Sequence, residues 1–530
     1  MRSLVEALER VKQYLGEKGS LHSRPFLDHA AEQLQEAARD GGGFTAFLSA
    51  PTGYGKTALS LSIALSELRG GYKTVVAYPL RSLVEDQESK FKSLLSWAGF
   101  SGAAAVRMMD VPETPYFVHP VVLTTVDTLS LMSVGLAPED IAFVYRRREE
   151  AMGHYLFSWA SVWLSTIVMD ETHLLYDSEK SLSFLAAMLR LSSKVFGNTM
   201  VLMSATLPRR FSDALKKYSA KPVGPISFAE DKDPLFSKER REKKYRVNIL
   251  ELSRDSALSR LADLLKATCF RRALVIFNTR EEAQNFYKHL DLPHKVLLHS
   301  LFTAEDKKRQ LEKLRQLEGS GVRHVVVATQ VTEAGVDITS DLIVAELAPA
   351  SSLIQRFGRF LRRPGENCPD PGRCAYVWYV REELEGDGEK YKVYDKELTR
   401  ATLEYLGSNP DVNLHIGYED LLEKVYGESG AVNTSYVNQV EKVFTGLSRS
   451  PREALDLLLE NNGSLVRDGS LFTAETIDGK KIAVGYDFLE KYCVGGNCPH
   501  SEEDAVRRAL QGETFRVRCG YDQELGVVCP

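Results

Sequence analysis

The tract Ala50-Pro51-Thr52-Gly53-Tyr54-Gly55-Lys56-Thr57 constrains the fold more than any other part of the chain. An apolar run, Phe44-Thr45-Ala46-Phe47-Leu48, leads into it, and a helix-patterned stretch from Ala58 to Leu68 follows. Strand, glycine-rich turn and helix in that order are what a phosphate-cradling loop requires. Glycines let backbone amides curl around a phosphate, and the helix N-terminus behind them favours negative charge. Pro51, Thr52, Gly53, Tyr54, Gly55, Lys56 and Thr57 are therefore the expected nucleotide contacts. Lys56 would reach the β- and γ-phosphates, and the Thr57 hydroxyl would ligate Mg²⁺. The first position is Ala50 where the pattern has Gly.

Beyond the loop, short apolar runs alternate with helix patterns. Thr74–Tyr78, Val121–Thr124, Thr166–Asp170 and Thr199–Ser204 read as strands. Runs apolar on both faces and separated by helices argue a parallel sheet covered on both sides. The stretch Asp231 to Arg246, with Lys238-Glu239-Arg240-Arg241-Glu242-Lys243-Lys244 inside it, reads as a solvated linker. Alternation resumes with Ala273–Phe277, Lys295–Leu298, His324–Ala328 and Leu342–Ala345. At 530 residues the chain is too long for one core.

A net charge of −5 neither requires nor excludes nucleic acid, since a local groove suffices for binding. No apolar run approaches the roughly 20 residues that span a bilayer, so no membrane partner is expected. The N-terminus leads into an amphipathic helix rather than a secretory signal, and cytoplasmic is the expected location. Of seven cysteines, Cys493, Cys498, Cys519 and Cys529 crowd the end of the chain with His500 beside them. Their spacing is not that of a standard zinc site. Zinc, disulfides and unrelated buried thiols all remain open, the last being favoured, and Cys368 with Cys374 stands likewise.

A second feature narrows the chemistry. Strand Thr166–Met169 ends in Asp170-Glu171-Thr172-His173, at the carboxyl edge where parallel α/β sheets bind ligands. Asp170 can hold Mg²⁺ through water, and Glu171 is placed to polarise the water that attacks a γ-phosphate. Ser204-Ala205-Thr206 follows another strand. Leu353-Ile354-Gln355-Arg356-Phe357-Gly358-Arg359-Phe360-Leu361-Arg362-Arg363 reads as a basic helix with Arg359 and Arg362 on one face, which suits the arginine-finger role.

Phosphate loop, Asp-Glu-x-His, Ser-Ala-Thr and Gln-Arg-x-Gly-Arg-x-x-Arg, in that order, resemble the motifs of superfamily 2 helicases and translocases. The resemblance implies an α/β fold of two tandem RecA-like parallel-sheet domains with a mixed C-terminal domain. The expected boundaries are helices over 1–40, a first RecA-like domain over 41–232, the charged linker over 233–246, a second RecA-like domain over 247–385 and an accessory domain over 386–530. In that family ATP is sandwiched between the two domains. The resemblance gives Gln355, Arg359 and Arg362 catalytic roles opposite Lys56, Asp170 and Glu171, and adds Gly335 and Asp337 to the nucleotide contacts. It assigns strand contacts to Pro79, Arg81, Thr125 and Asp127 in the first domain. In the second it assigns them to Asn278, Thr279, Arg280, His299, Ser300, Thr329 and Gln330. Hydroxyls, amides and backbone N–H groups suit phosphate contacts that carry no sequence information.

Within that superfamily the sequence is most similar to the CRISPR-associated helicase of type I interference, through Ile276–Arg280, Leu297–Ser300, Val327–Val331 and Glu346–Pro349 running into Ser352–Arg356. The resemblance implies ATP-dependent unwinding of DNA with 3′-to-5′ polarity by movement along single-stranded DNA, on recruitment by a surveillance complex carrying crRNA. No His-Asp nuclease pattern precedes the phosphate loop, so a separate HD nuclease subunit is expected. An RNA helicase with the same motor, or an ATP-switched scaffold that does not unwind, are the alternatives.

Overall fold

The computed structural model describes every residue except 2, 20–23, 110, 147–153, 177, 334–335, 387–392, 428–430 and 447–450. The chain forms two compact units. Met1–Asp233, Gly430–Phe472 and Pro499–Glu513 make the first; Pro234–Ser429, Thr473–Cys498 and Thr514–Pro530 make the second. The region after 386, drawn from the sequence as one accessory domain, is thus divided between both.

The first unit holds an eight-stranded sheet. Its strands are β1 (Thr45–Ser49), β2 (Lys73–Tyr78), β3 (Ala104–Met108), β4 (Val111–Pro112), β5 (Val121–Thr125), β6 (Ser165–Met169), β7 (Met200–Ser204) and β8 (Pro222–Ser227), in the order β4-β3-β5-β2-β6-β7-β1-β8. Only the β3–β4 pair is antiparallel. β5, β6 and β7 are buried at every position, as expected where helices cover both faces. Helices α1 (Leu4–Glu17) and α2 (Pro25–Ala37) precede the sheet, and α1 packs on α3 (Lys56–Arg69). Leu4, Ala7, Leu8 and Val11 form its buried stripe, one helical turn apart. The loops after β2 and β5 lead directly into α4 (Arg81–Trp97) and α5 (Val126–Ser133).

The second unit has a six-stranded, wholly parallel sheet. Its strands are β9 (Val247–Leu252), β10 (Arg272–Ile276), β11 (Lys295–Leu298), β12 (His324–Ala328), β13 (Leu342–Glu346) and β14 (Ala375–Val380), in the order β11-β12-β10-β13-β14-β9. Phe277, Phe286 and Trp378 meet in its core. Both sheets are RecA-like. Smaller sheets complete the chain: β15 (Phe472–Glu475), β16 (Lys481–Val484) and β17 (Phe515–Arg516), then the hairpin β18 (Gly520–Asp522) and β19 (Gly526–Val528).

The charged stretch is not a solvated linker: Pro234–Glu242 is helical, with Phe236, Arg240 and Lys243 buried. Arg240 donates to the Arg362 carbonyl at 3.1 Å, and Lys243 Nζ donates to the carbonyls of Leu361 and Arg363. The cations satisfy carbonyls of an irregular turn rather than facing water. The cysteines are not unrelated thiols either. Cys368–Cys374, Cys493–Cys498 and Cys519–Cys529 are disulfides, and Cys269 is free and exposed.

Candidate functional site

The phosphate loop leaves β1 and enters α3. Gly53 (φ 79°) and Gly55 (φ 105°) adopt left-handed backbone, which glycine reaches without a Cβ penalty. Tyr54 is pinned from behind. Its hydroxyl accepts the Phe26 N–H at 3.0 Å and donates to Asp233 Oδ2 at 2.9 Å, so only its backbone faces a ligand. Lys56 is buried at the start of α3, with Nζ 3.3 Å from the Ala50 carbonyl and 3.7 Å from Glu171 Oε1. Thr57 follows it.

β7 lies between β1 and β6, and the Ala50 N–H donates to the Ser204 carbonyl at 3.1 Å. The Ser204-Ala205-Thr206 tract therefore stands between the phosphate loop and the acidic pair. Asp170 is buried at the end of β6, and burial together with the neighbouring Glu171 charge raises its pKa. A divalent cation would restore the ionised form. Glu171 sits at φ 54°, a left-handed conformation that costs a non-glycine residue about 1–2 kcal/mol. Its N–H donates to Asp170 Oδ1 at 2.9 Å, which holds the two carboxylates in fixed relation. His173 Nδ1 lies 3.5 Å from Glu171 Oε2, but burial pushes the imidazole down to about 4. A neutral ring there offers Glu171 no cation from that side.

Glu171 Oε2 and Thr206 Oγ1 are buried with no hydrogen-bond partner. Orphaned oxygens beside a left-handed glycine loop and a buried ammonium fit a phosphate ligand with its cation.

In the second unit the basic helix is shorter than expected. It spans Ala350–Phe357, and Leu361 is left-handed at φ 46°, so Arg359 and Arg362 do not share a helical face. Arg359 is buried, with Nε bonded to the Thr332 carbonyl at 2.8 Å and Nη2 to the Glu333 carbonyl at 3.1 Å. Those carbonyls occupy the guanidinium. Arg362 is partly exposed and pairs with Asp337 at 3.4 Å, which leaves it the freer of the two. Gln355 is buried in the helix, and Gly335 lies outside the described residues. Arg356, not singled out from the sequence, is a fully buried hub. It bonds Glu333 Oε1 (2.8 Å), the Glu346 carbonyl (2.7 Å), Asn278 Oδ1 (2.9 Å) and the Tyr394 hydroxyl (2.9 Å).

The strand-contact candidates divide similarly. Asn278 and His299 are buried in internal networks: Asn278 Nδ2 donates to the Leu347 carbonyl at 2.8 Å, and His299 Nε2 lies 2.8 Å from the Leu525 carbonyl. Thr329 is buried, and Gln330 Nε2 donates to the Asn278 carbonyl at 2.9 Å. Thr279 caps the helix Arg280–His289, Arg280 lies over the Phe488 ring at 5.2 Å, and Ser300 is exposed. In the first unit Thr125 caps α5, and Arg81 is exposed beside Glu85 at 2.8 Å. Pro79 and Asp127 both accept bonds from Arg467, a residue that no motif marks.

The DEAD/DEAH box helicase family matches residues 30–214, which hold the phosphate loop, the acidic pair and Ser204–Thr206. The family described as CRISPR-associated nuclease/helicase Cas3, C-terminal, matches residues 270–365, from β10 through Arg362. The chain is similar to the Cas3-like helicases. Its relatives include the CRISPR-associated helicase Cas3 of Thermoproteus tenax, 27% identical over 74% of this chain and 64% of that protein. Another is the CRISPR-associated nuclease/helicase Cas3 of Methanothermobacter thermautotrophicus, 26% identical over 78% of this chain and 50% of that protein. The chain thus spans between half and two thirds of the length of these relatives. In fold it matches the crystal structure of T. fusca Cas3-AMPPNP, with a TM-score of 0.64 at 17% identity over 99% of this chain and 71% of that one. No helix among the described residues is long and apolar enough to cross a membrane.

Proposed function

We propose that this Cas3-like helicase is an ATP-driven motor that moves along single-stranded DNA and unwinds target duplex 3′-to-5′ in type I CRISPR interference. The surveillance complex with its crRNA would recruit it, and a separate HD nuclease would cut. The observation that carries the reading is the first unit's carboxyl edge, where Lys56 lies 3.7 Å from Glu171 beside buried Asp170.

Thr57 and Asp170 would hold Mg²⁺, which would supply positive charge to offset that of the phosphates. Lys56 binds the β- and γ-phosphates, for which it gives up its contact with the Ala50 carbonyl. Glu171 takes the proton from the attacking water, since its Oε2 has no hydrogen bond to give up. Arg362 supplies the mobile guanidinium that meets the γ-phosphate during turnover, whereas Arg359 holds the turn that carries it.

The test is ATP hydrolysis with and without oligo-dT, followed by displacement of 3′-tailed and 5′-tailed duplexes, with RNA versions in parallel. DNA-stimulated turnover and displacement from the 3′ tail are expected. Stimulation by RNA alone would replace the DNA reading with the RNA one, and stimulation without displacement would leave a switch rather than a helicase.

A further inference from the structure

β2 and β5 are neighbours with Tyr78 opposite Thr125, so the loops that follow them open side by side at the carboxyl edge of the first sheet. Loops at that edge line the crevice where parallel α/β sheets take ligands. Asp127 places a carboxylate there, which by itself repels a phosphodiester backbone. Arg467 answers it. Nε donates to Asp127 Oδ1 at 2.8 Å and Nη2 donates to the Pro79 carbonyl, while the side chain stays 41% exposed. Two of the guanidinium's nitrogens fix its plane, and Nη1 remains for a ligand.

The loop presenting Arg467 is itself tied down. Ser464 Oγ accepts the N–H groups of Val466 and Arg467 at 3.3 and 3.0 Å. Ser181 Oγ donates to the Val466 carbonyl at 2.6 Å, and Ser178 Oγ donates to Asp468 Oδ2 at 2.8 Å. Both serines stand at the start of the helix Glu179–Leu191. A guanidinium held this way loses little further freedom when it meets a phosphate.

We propose that Arg467 is a phosphate-backbone contact for single-stranded nucleic acid, oriented by Asp127 and Pro79. The segment Gly430–Phe472, which returns to the first unit, supplies it. This inference rests on the strand-driven motor proposed above and gives that motor a contact from outside its helicase motifs.

The experiment uses the full chain with fluorescein-labelled oligo-dT and oligo-rU, followed by anisotropy across salt concentrations. Arg467→Ala is expected to bind whichever strand the native chain binds about tenfold more weakly near 0.1 M salt, with little dependence on base sequence. The slope of log affinity against log salt should become shallower by about 0.7. Arg467→Lys keeps the charge and should keep the slope while losing part of the affinity. Asp127→Asn, which retains an oxygen acceptor but no charge, should bind several-fold more tightly, and it serves if Arg467→Ala does not fold. Equal affinity and slope in the native chain, Arg467→Ala and Asp127→Asn would overturn the contact alone. Weaker binding at an unchanged slope would also overturn it, marking Arg467 as a tie between segments. A native chain that binds neither oligonucleotide would remove the motor reading itself.

Discussion

Lys56 Nζ lies 3.7 Å from Glu171 Oε1, an ion pair between the residue that opens α3 and the second residue beyond the end of β6. The pair joins a phosphate ligand to a candidate base, so each can be removed separately. Glu171→Gln keeps the shape of the side chain and should lower strand-stimulated ATP turnover by about 10²–10⁴-fold. Nucleotide binding should survive. Lys56→Ala should lose both binding and turnover. Undiminished hydrolysis by Glu171→Gln would dismiss the base.

Arg356 and Arg362 stand six positions apart and should fail in opposite ways. Arg356 is fully buried against Glu333 and Asn278. Arg356→Ala should cost about 3–5 kcal/mol, because it leaves the Glu333 carboxylate buried without its cation. Thermal melting reads that loss. Arg362→Ala touches a partly exposed side chain and should leave melting within about 0.5 kcal/mol of the native chain. Its ATP turnover should nevertheless fall about 10³-fold or more. Equal melting and turnover losses in both variants would reject this division of roles.

Much of this arrangement was legible in the sequence because parallel strands buried on both faces carry unbroken apolar runs. Lys295–Leu298 and His324–Ala328 appear in the structure with the bounds read from the residues. β3 was not singled out: it carries Arg107, buried and bonded to Glu139 and nearby carbonyls, and a cation breaks the apolar pattern. The helix through Gln355 was read too long, since Arg359 looks helical by spacing until its bonds to the Thr332 and Glu333 carbonyls are known. Contacts such as Arg467 with Asp127, 340 positions apart, leave no local trace. Spacing identifies which residues share an element; it does not reveal which polar groups are already satisfied by distant backbone.

The C-terminal hairpin offers a test of close packing. Gly526 is left-handed at φ 72°, and a Cβ there would lie 2.6 Å from His299 Cε1 and 2.7 Å from the Leu301 carbonyl oxygen. Gly526→Ala should therefore lift the hairpin, at a cost of about 2 kcal/mol or more. Faster hydrogen exchange confined to residues 520–528 and to the segment around Leu301 is the expected signature. Unchanged exchange there would mean that the hairpin shifts without undocking.

His299 links that docking to pH. Its Nδ1 accepts the Leu301 N–H at 3.2 Å, and Nε2 donates to the Leu525 carbonyl at 2.8 Å, a pattern only the neutral ring supplies. Burial pushes the imidazole down to about 3, with nearby Arg280 acting in the same direction. The unfolded chain binds this proton near 6.5, so stability rises with pH between the two values and falls as pH drops below about 6.5. From pH 7 to pH 5 the single group should withdraw about 2 kcal/mol. Urea unfolding of the second unit at both pH values reads the effect, and His299→Gln, which cannot titrate, should lose that share of the dependence. If the variant and the native chain weaken by equal amounts between pH 7 and pH 5, the proton is taken up elsewhere and His299 does not govern the seat of the hairpin.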